Sequence, residues 1–297
     1  AVLTVDLATD VRAMPSCGSG ASDAATDGTY NSQLGMARTS VAKSTVRTAC
    51  KNGSHHGSFR AYNEIAWLQR CEYASLHSQD TYTETLTGDG FKQGGLGSGP
   101  TVVSGDWSAW AAYKPFIPSG ISATLGNNTG KVNYTIKNFN GVDKVVAVTS
   151  YRGFENPFEY LYLLADDVLI HHSPDTELNK SIAYLCEDPL KFTSHSDSAV
   201  NVPDGYVSIA NLPRATGYIL QLTHSDKGYS FPQSIGGAAN IGACDQFYHP
   251  GLTSSGWFGA LLAGSAYIGA YAGFGFLYTY PRSSYAYAYY GFRLCRF

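Results

Sequence analysis

The chain has 297 residues, 44% of them hydrophobic and only 14% charged, with a net charge of −3. This length holds one large domain without requiring two, and the apolar share is ample for a packed core. So little charge, against roughly 25% in an ordinary soluble domain, leaves the polar surface to Ser, Thr, Asn, Gly and Tyr.

Near-neutrality without a Lys/Arg run removes the basic stripe that phosphates require, so no nucleic-acid partner is expected. No apolar run reaches roughly 18 residues, so no membrane span is expected. The opening AVLTVDLATDVRAMPS lacks a basic segment and carries acids among its apolar residues, unlike a secretory signal. Six cysteines lie far apart with no CxxC spacing, which argues against a zinc knuckle. They read as disulfides or as free buried thiols.

In chain order, residues 1–30 read as an N-terminal arm or leader, and 31–297 as one domain. Residues 33–50 suit a helix, with Gly53 placed to stop it. A second helix is expected over 61–79, with Asn63 as N-cap and Ile65, Leu68, Cys71 or Glu72, and Leu76 on its apolar face. Residues 88–105 read as an ordered glycine loop. A dinucleotide cradle would need a helix after it, whereas Pro100 and the following Thr101-Val102-Val103 point to a strand.

From Trp107 the pattern is β, with turns at 127–130 and at Asn140-Gly141. Strands are expected at 160–170, 186–192, 206–212 and 217–222, and GFRLCRF reads as the last one. Helices first and antiparallel strands afterwards make an α+β fold.

The chain has no GxSxG, HExxH, P-loop or EF-hand pattern. His55-His56 reads as a surface loop and His171-His172 as a strand end. Neighbours on a strand point to opposite faces, so neither pair chelates a metal by itself. Asp166-Asp167 reads as a solvated strand end more than a calcium site. No catalytic residue, cofactor or metal ligand is expected.

Eight of the chain's 22 tyrosines lie at 256–297, and Tyr285-Ala286-Tyr287-Ala288-Tyr289 alternates strictly. On a strand this puts Tyr on one face and Ala, suited to close packing, on the other.

The helix YNEIAWLQRCEYAS, the loop GGLGSGPT, the segment YRGFENPF and the ending GALLAG…GAYAGFGF…GFRLC together resemble the C-type-lectin-like domains of formylglycine-generating-enzyme type. More closely, they resemble the variable proteins of diversity-generating retroelements, phage tropism determinants among them. The resemblance implies a C-type-lectin-like domain, two helices packed on twisted antiparallel sheets with long irregular loops, and a variable region at about 256–297. The oxidase branch uses paired cysteines, whereas Cys244 and Cys295 stand isolated here, so its catalysis is not carried over. Adenine-directed mutagenesis of Asn codons cannot yield Lys, Glu, Gln, Met or Trp. The chain has none of these five after Trp257, and no Asn.

Burying eight phenols would demand eight hydrogen-bond partners, each missing one costing roughly 1–3 kcal/mol. Exposed, tyrosine offers rigid contact area with a polar tip, as in antibody paratopes. The expected ligand-binding residues are therefore Tyr267, Ile268, Tyr271, Phe276, Tyr278, Tyr280, Tyr285, Tyr287, Tyr289 and Tyr290. The resemblance implies a host-attachment adhesin on a phage tail or cell surface, binding a host-surface protein or glycan. Its N-terminal arm would contact other virion proteins. The alternatives are an oxidase or metal-dependent enzyme of the same superfamily, or a structural fibre or decoration subunit.

Overall fold

The structure is a computed structural model that describes residues 42–49, 54–79, 120–139, 142–158, 161–174, 181–265, 268–287 and 289–296. The expected arm at 1–30, the glycine loop at 88–105 and Tyr267 lie outside them.

Helix α1 covers Lys43–Ala49, the C-terminal part of the expected first helix. Strand β1, Ser54–His56, follows, so His55-His56 is a strand rather than a loop. Helix α2 runs Phe59–Tyr73. Its N-cap is Ser58, not Asn63: the Ser58 hydroxyl oxygen accepts the Ala61 N–H at 3.0 Å. Ala74, at φ 50°, ends the helix well before residue 79.

The buried face of α2 also differs from expectation. It is Phe59, Tyr62, Asn63, Ala66, Gln69 and Arg70, while Leu68 and Leu76 are exposed. Counting apolar residues misses this stripe because half of it is polar. Asn63 is buried for its hydrogen bonds, accepting Ser230 N–H at 3.1 Å through Oδ1. Buried polar groups persist where such partners exist.

Fourteen strands are described, against two α-helices, so the fold is a sheet-rich α+β arrangement. Strands β2 (Gly130–Phe139) and β3 (Val142–Tyr151) form the hairpin expected around Asn140-Gly141, and β4 (Phe154–Glu155) extends it. The residues before it form a 3-10 turn, Ile121–Leu125, rather than strand. The main sheet comprises β5 (Tyr162–His172), β6 (Ser181–Cys186), β7 (Tyr206–Leu212), β8 (Gly217–His224), β9 (Ser230–Ile235), β10 (Gln246–Tyr248), β11 (Gly256–Ala263), β12 (Gly273–Tyr278) and β13 (Tyr290–Gly291). Its order is β7-β6-β5-β11-β12-β10-β8-β9, with β13 parallel to β5. The strand expected at 186–192 is instead the end of β6 followed by a 3-10 turn at Pro189–Lys191. Proline there removes a ladder donor. The final strand β14, Leu294–Arg296, pairs with β1, so the chain's end meets the entrance to α2.

One face of the sheet packs on α2 through Phe59, Tyr62, Phe231, Phe247, Phe258 and Phe274. Strand β5 is buried along nearly its whole length, so Asp166 and Asp167 are interior, not solvated. Asp167 accepts the N–H groups of Phe59 (2.6 Å) and Arg60 (3.0 Å), two donors that the first turn of α2 cannot satisfy itself. Burial nevertheless pushes its carboxyl up to about 6. Asp166 takes the Arg47 guanidinium, with Lys43 Nζ 3.7 Å and His56 Nδ1 3.5 Å away. Burial alone would raise Asp166, but His56 and Arg47 outweigh it and hold the carboxyl below the usual range.

Replacing Asp166 by Ala would strand Arg47 and Lys43 beside an apolar hole. We expect a loss of about 3–5 kcal/mol, read as a lower urea midpoint with little change in slope.

Candidate functional site

The opposite face of the sheet carries a second apolar cluster: Tyr162, Leu164, Leu261, Phe276 and Tyr290 are buried in it, with Ile268, Tyr278, Tyr285 and Tyr289 packed on top. Phe274 and Phe276 are two apart in β12 yet serve opposite faces. The β11–β12 register jumps between Leu262 and Ala263, which permits the switch.

Six tyrosines form a closed circuit of ring contacts over this cluster. Tyr162 meets Tyr278 (5.6 Å), which meets Tyr280 (6.1 Å), then Tyr285 (5.9 Å) and Tyr287 (5.6 Å). Tyr287 stacks on Tyr289 (5.4 Å), which returns to Tyr162 (5.9 Å). Tyr290 lies against Tyr162, Tyr287 and Tyr289. Tyr248 stacks on Tyr278 at 4.4 Å. Edge-to-face and offset geometry of this kind adds roughly 0.5–1.5 kcal/mol per pair beyond area burial.

The expected residues thus sort into layers. Tyr280 and Tyr287 are exposed at 39% and 41%; Ile268, Tyr278, Tyr285 and Tyr289 are half-buried. Tyr271, 41% exposed, packs on Tyr218 at 5.0 Å. Phe276 and Tyr290 do not share the expected exposure: each is 2% exposed and forms the floor. Burial of Tyr285, then its hydrogen bond to Tyr280, raises its phenol. Tyr162 and Tyr248 escaped the sequence reading. Each sits in a strand remote in sequence, and only the pairing of Tyr162 with Tyr290 and of Tyr248 with Tyr278 brings them in.

The described residues of the alternating stretch, Tyr285–Tyr287 and Tyr289, are not in a strand. Tyr285 N–H donates to Arg282 O (3.1 Å) and Tyr290 N–H to Tyr287 O (3.0 Å), so these amides close local turns instead of a ladder. Ala286 is accordingly exposed rather than packed.

Polar anchors hold the backbone that leads into β12. Gln79 donates from Nε2 to Gly269 O (3.2 Å) and Ala272 O (2.6 Å). Ser78 Oγ accepts the Phe274 N–H and donates to Asp245 Oδ2, which also accepts the Gly275 N–H at 2.6 Å. A Cβ on Gly273 would fall 1.9 Å from Asp245 Oδ1, so only glycine fits beside that carboxylate. Burial pushes Asp245 up to about 7. Arg293 of the ending GFRL donates to Glu155 O (2.5 Å) and Asn156 O (2.7 Å).

His172, Ser181 and His249 make a buried chain beneath Thr279, the residue between Tyr278 and Tyr280. Donor counting sets its directions. His249 Nδ1 accepts the Gly251 N–H, so its Nε2–H donates to Ser181 Oγ (2.8 Å). Ser181 then donates to His172 Nδ1 (2.8 Å), and His172 Nε2–H donates to Thr279 O (3.1 Å). Both rings are neutral in this arrangement. Burial, then His249, takes His172 down to about 3; burial, then Arg214, takes His249 down to about 4. His171 is half-buried against Trp257.

Cys71, Cys186 and Cys244 are free thiols, the last two buried. Among the described residues, no three His, Cys, Asp or Glu side chains gather as a metal-holding group, and no helix is long and apolar enough to cross a membrane.

Two outcomes follow from the layering and the histidine chain. Phe276→Ala should cost about 3–5 kcal/mol by urea unfolding, whereas Tyr287→Ser should cost about 1 kcal/mol or less. The unfolded chain protonates its histidines near pH 6.5, above the folded values, so their contribution is complete above that pH and lost as pH falls toward 4. Asp245 and Asp167, with raised values, act in the opposite sense. The histidine share is therefore read as a difference: wild type minus His172→Gln should shrink by on the order of 2 kcal/mol between pH 7 and 4.5. Comparison with known proteins found no matching family model and no matching curated protein, so the functional reading rests on the chemistry of this site.

Proposed function

We propose that the chain is a receptor-binding adhesin whose tyrosine surface contacts a host-cell protein or glycan, carried on a phage tail or related particle. In this reading the fold is a C-type-lectin-like domain of the kind found in retroelement variable proteins, and 256–297 is its variable region. The observation that carries it is the closed tyrosine circuit, with Tyr280 and Tyr287 at its exposed edge over a buried aromatic floor.

Rigid aromatic side chains with two rotatable bonds lose little entropy on binding, and phenol tips adapt to polar partners. The polar anchors around Gly269–Gly275 and Thr279 hold the backbone, so exposed side chains could differ between sequences at small cost in stability.

The test is a triple substitution of Tyr280, Tyr285 and Tyr287 to Ser, assayed for binding to intact bacteria and isolated envelopes by biolayer interferometry. The variant should keep its melting temperature to within about 5 °C and lose at least about tenfold in binding. Unfolding of the variant, or undiminished binding, would count against the reading.

A further inference from the structure

An open cleft of about 670 Å³ is lined by His171, Asp197, Ser198, Val200, Ser255 and Arg282 among others. Its size falls in the range of roughly 300–1,000 Å³ typical of ligand sites. The link to the circuit is covalent and short. Tyr280 and Tyr285, whose rings meet at 5.9 Å, bracket the turn that carries Arg282 and Ser283.

That turn is firmly held. Arg282 donates to Trp257 O and Ser255 O, both at 3.0 Å, and its guanidinium lies 3.6 Å above the Phe258 ring. Pro281 O accepts the Gly259 N–H at 2.7 Å, and Asp197 Oδ1 accepts the Ser283 N–H at 3.4 Å. On the other wall, Asp197 O accepts the Trp257 N–H at 2.9 Å. Gly256, at φ 94°, admits this approach because a Cβ there would stand 2.2 Å from Asp197 O. The held turn thus joins one wall of the cleft to the Tyr280–Tyr285 side of the circuit.

The chemistry of the two parts differs. The circuit presents aromatic faces and phenol tips. The cleft presents one carboxylate, one guanidinium, two serine hydroxyls and an imidazole whose burial favours its neutral form. Donors and acceptors are mixed, and the opposite charges of Asp197 and Arg282 offset each other. A pyranose ring has the complementary division, with C–H faces for the aromatic rings and a hydroxyl edge for the mixed donors and acceptors.

Resting on the adhesin reading above, we infer that its ligand is a neutral oligosaccharide: one sugar stacks on Tyr280, two residues before Arg282, and the next places its hydroxyls among Asp197, Ser198 and Ser255.

The experiment applies the fluorescently labelled full chain to an array of neutral oligosaccharides beside sialylated, uronic-acid and sulfated ones. Ser198→Ala, Asp197→Asn and Tyr280→Ala are compared on the same array, with melting curves to verify folding. Neutral glycans should be bound, and each substitution should weaken that binding about three- to tenfold, the loss of one ligand hydrogen bond or stacking contact. Absence of glycan binding, capture of acidic glycans alone, or indifference to Ser198→Ala and Asp197→Asn would overturn the inference. Failure here with tyrosine-dependent envelope binding intact removes the saccharide and leaves the adhesin. Loss of tyrosine dependence on envelopes removes both.

Discussion

The two adjacent carboxylates of β5 hold the structure together. Asp166 and Asp167 sit where β5 and β11 lose register, between Phe258 and Ala260. This irregularity lets consecutive residues both serve the N-terminal segment. Asp166 gathers α1 and β1 through Arg47, Lys43 and His56, and Asp167 ties down the first turn of α2. A bare carboxylate in such a place would be prohibitive, and these persist because each is paired or hydrogen-bonded. The same strand then supplies Tyr162 to the tyrosine floor and His172 to the chain beneath Thr279. One strand therefore couples the helical start of the domain to the surface built by its end.

The tyrosine surface is a compromise between two extremes. A wholly buried set would leave phenol hydroxyls competing for partners, and a wholly exposed set would be an unsupported apolar patch. The observed layering avoids both. Tyr162, Phe276 and Tyr290 fill volume below, Tyr278, Tyr285 and Tyr289 pack on that floor, and Tyr280 and Tyr287 carry the exposure. Backbone irregularity around them is held by side chains from elsewhere, Ser78, Gln79 and Asp245 above all.

Several elements were legible in the sequence. The β2–β3 hairpin flanks the Asn-Gly pair, and the expected bounds of β7 agree with the structure, because turn chemistry and β-branched runs are local signals. The tyrosine-rich ending was visible from composition. Where reading failed, the cause was nonlocal. The apolar count chose Leu68 and Leu76 on α2, whereas the sheet buries Asn63, Gln69 and Arg70. Strict Tyr/Ala alternation suggested a strand, but the amides of Tyr285 and Tyr290 are drawn into local turns. His172 does end β5, as expected, but nothing local announces Ser181 and His249 as its partners.

The sequence by itself determined the class of the fold, its low-charge surface and the concentration of tyrosine after Trp257, since each depends on composition or on spacing within a few residues. Only the tertiary structure decided which tyrosines are floor and which are face. That choice depends on a parallel pairing of Tyr290 with Tyr162, on the slip in β11–β12 register, and on buried carboxylates that hold distant segments together. Exposure is a property of the assembled surface, and no window of sequence contains it.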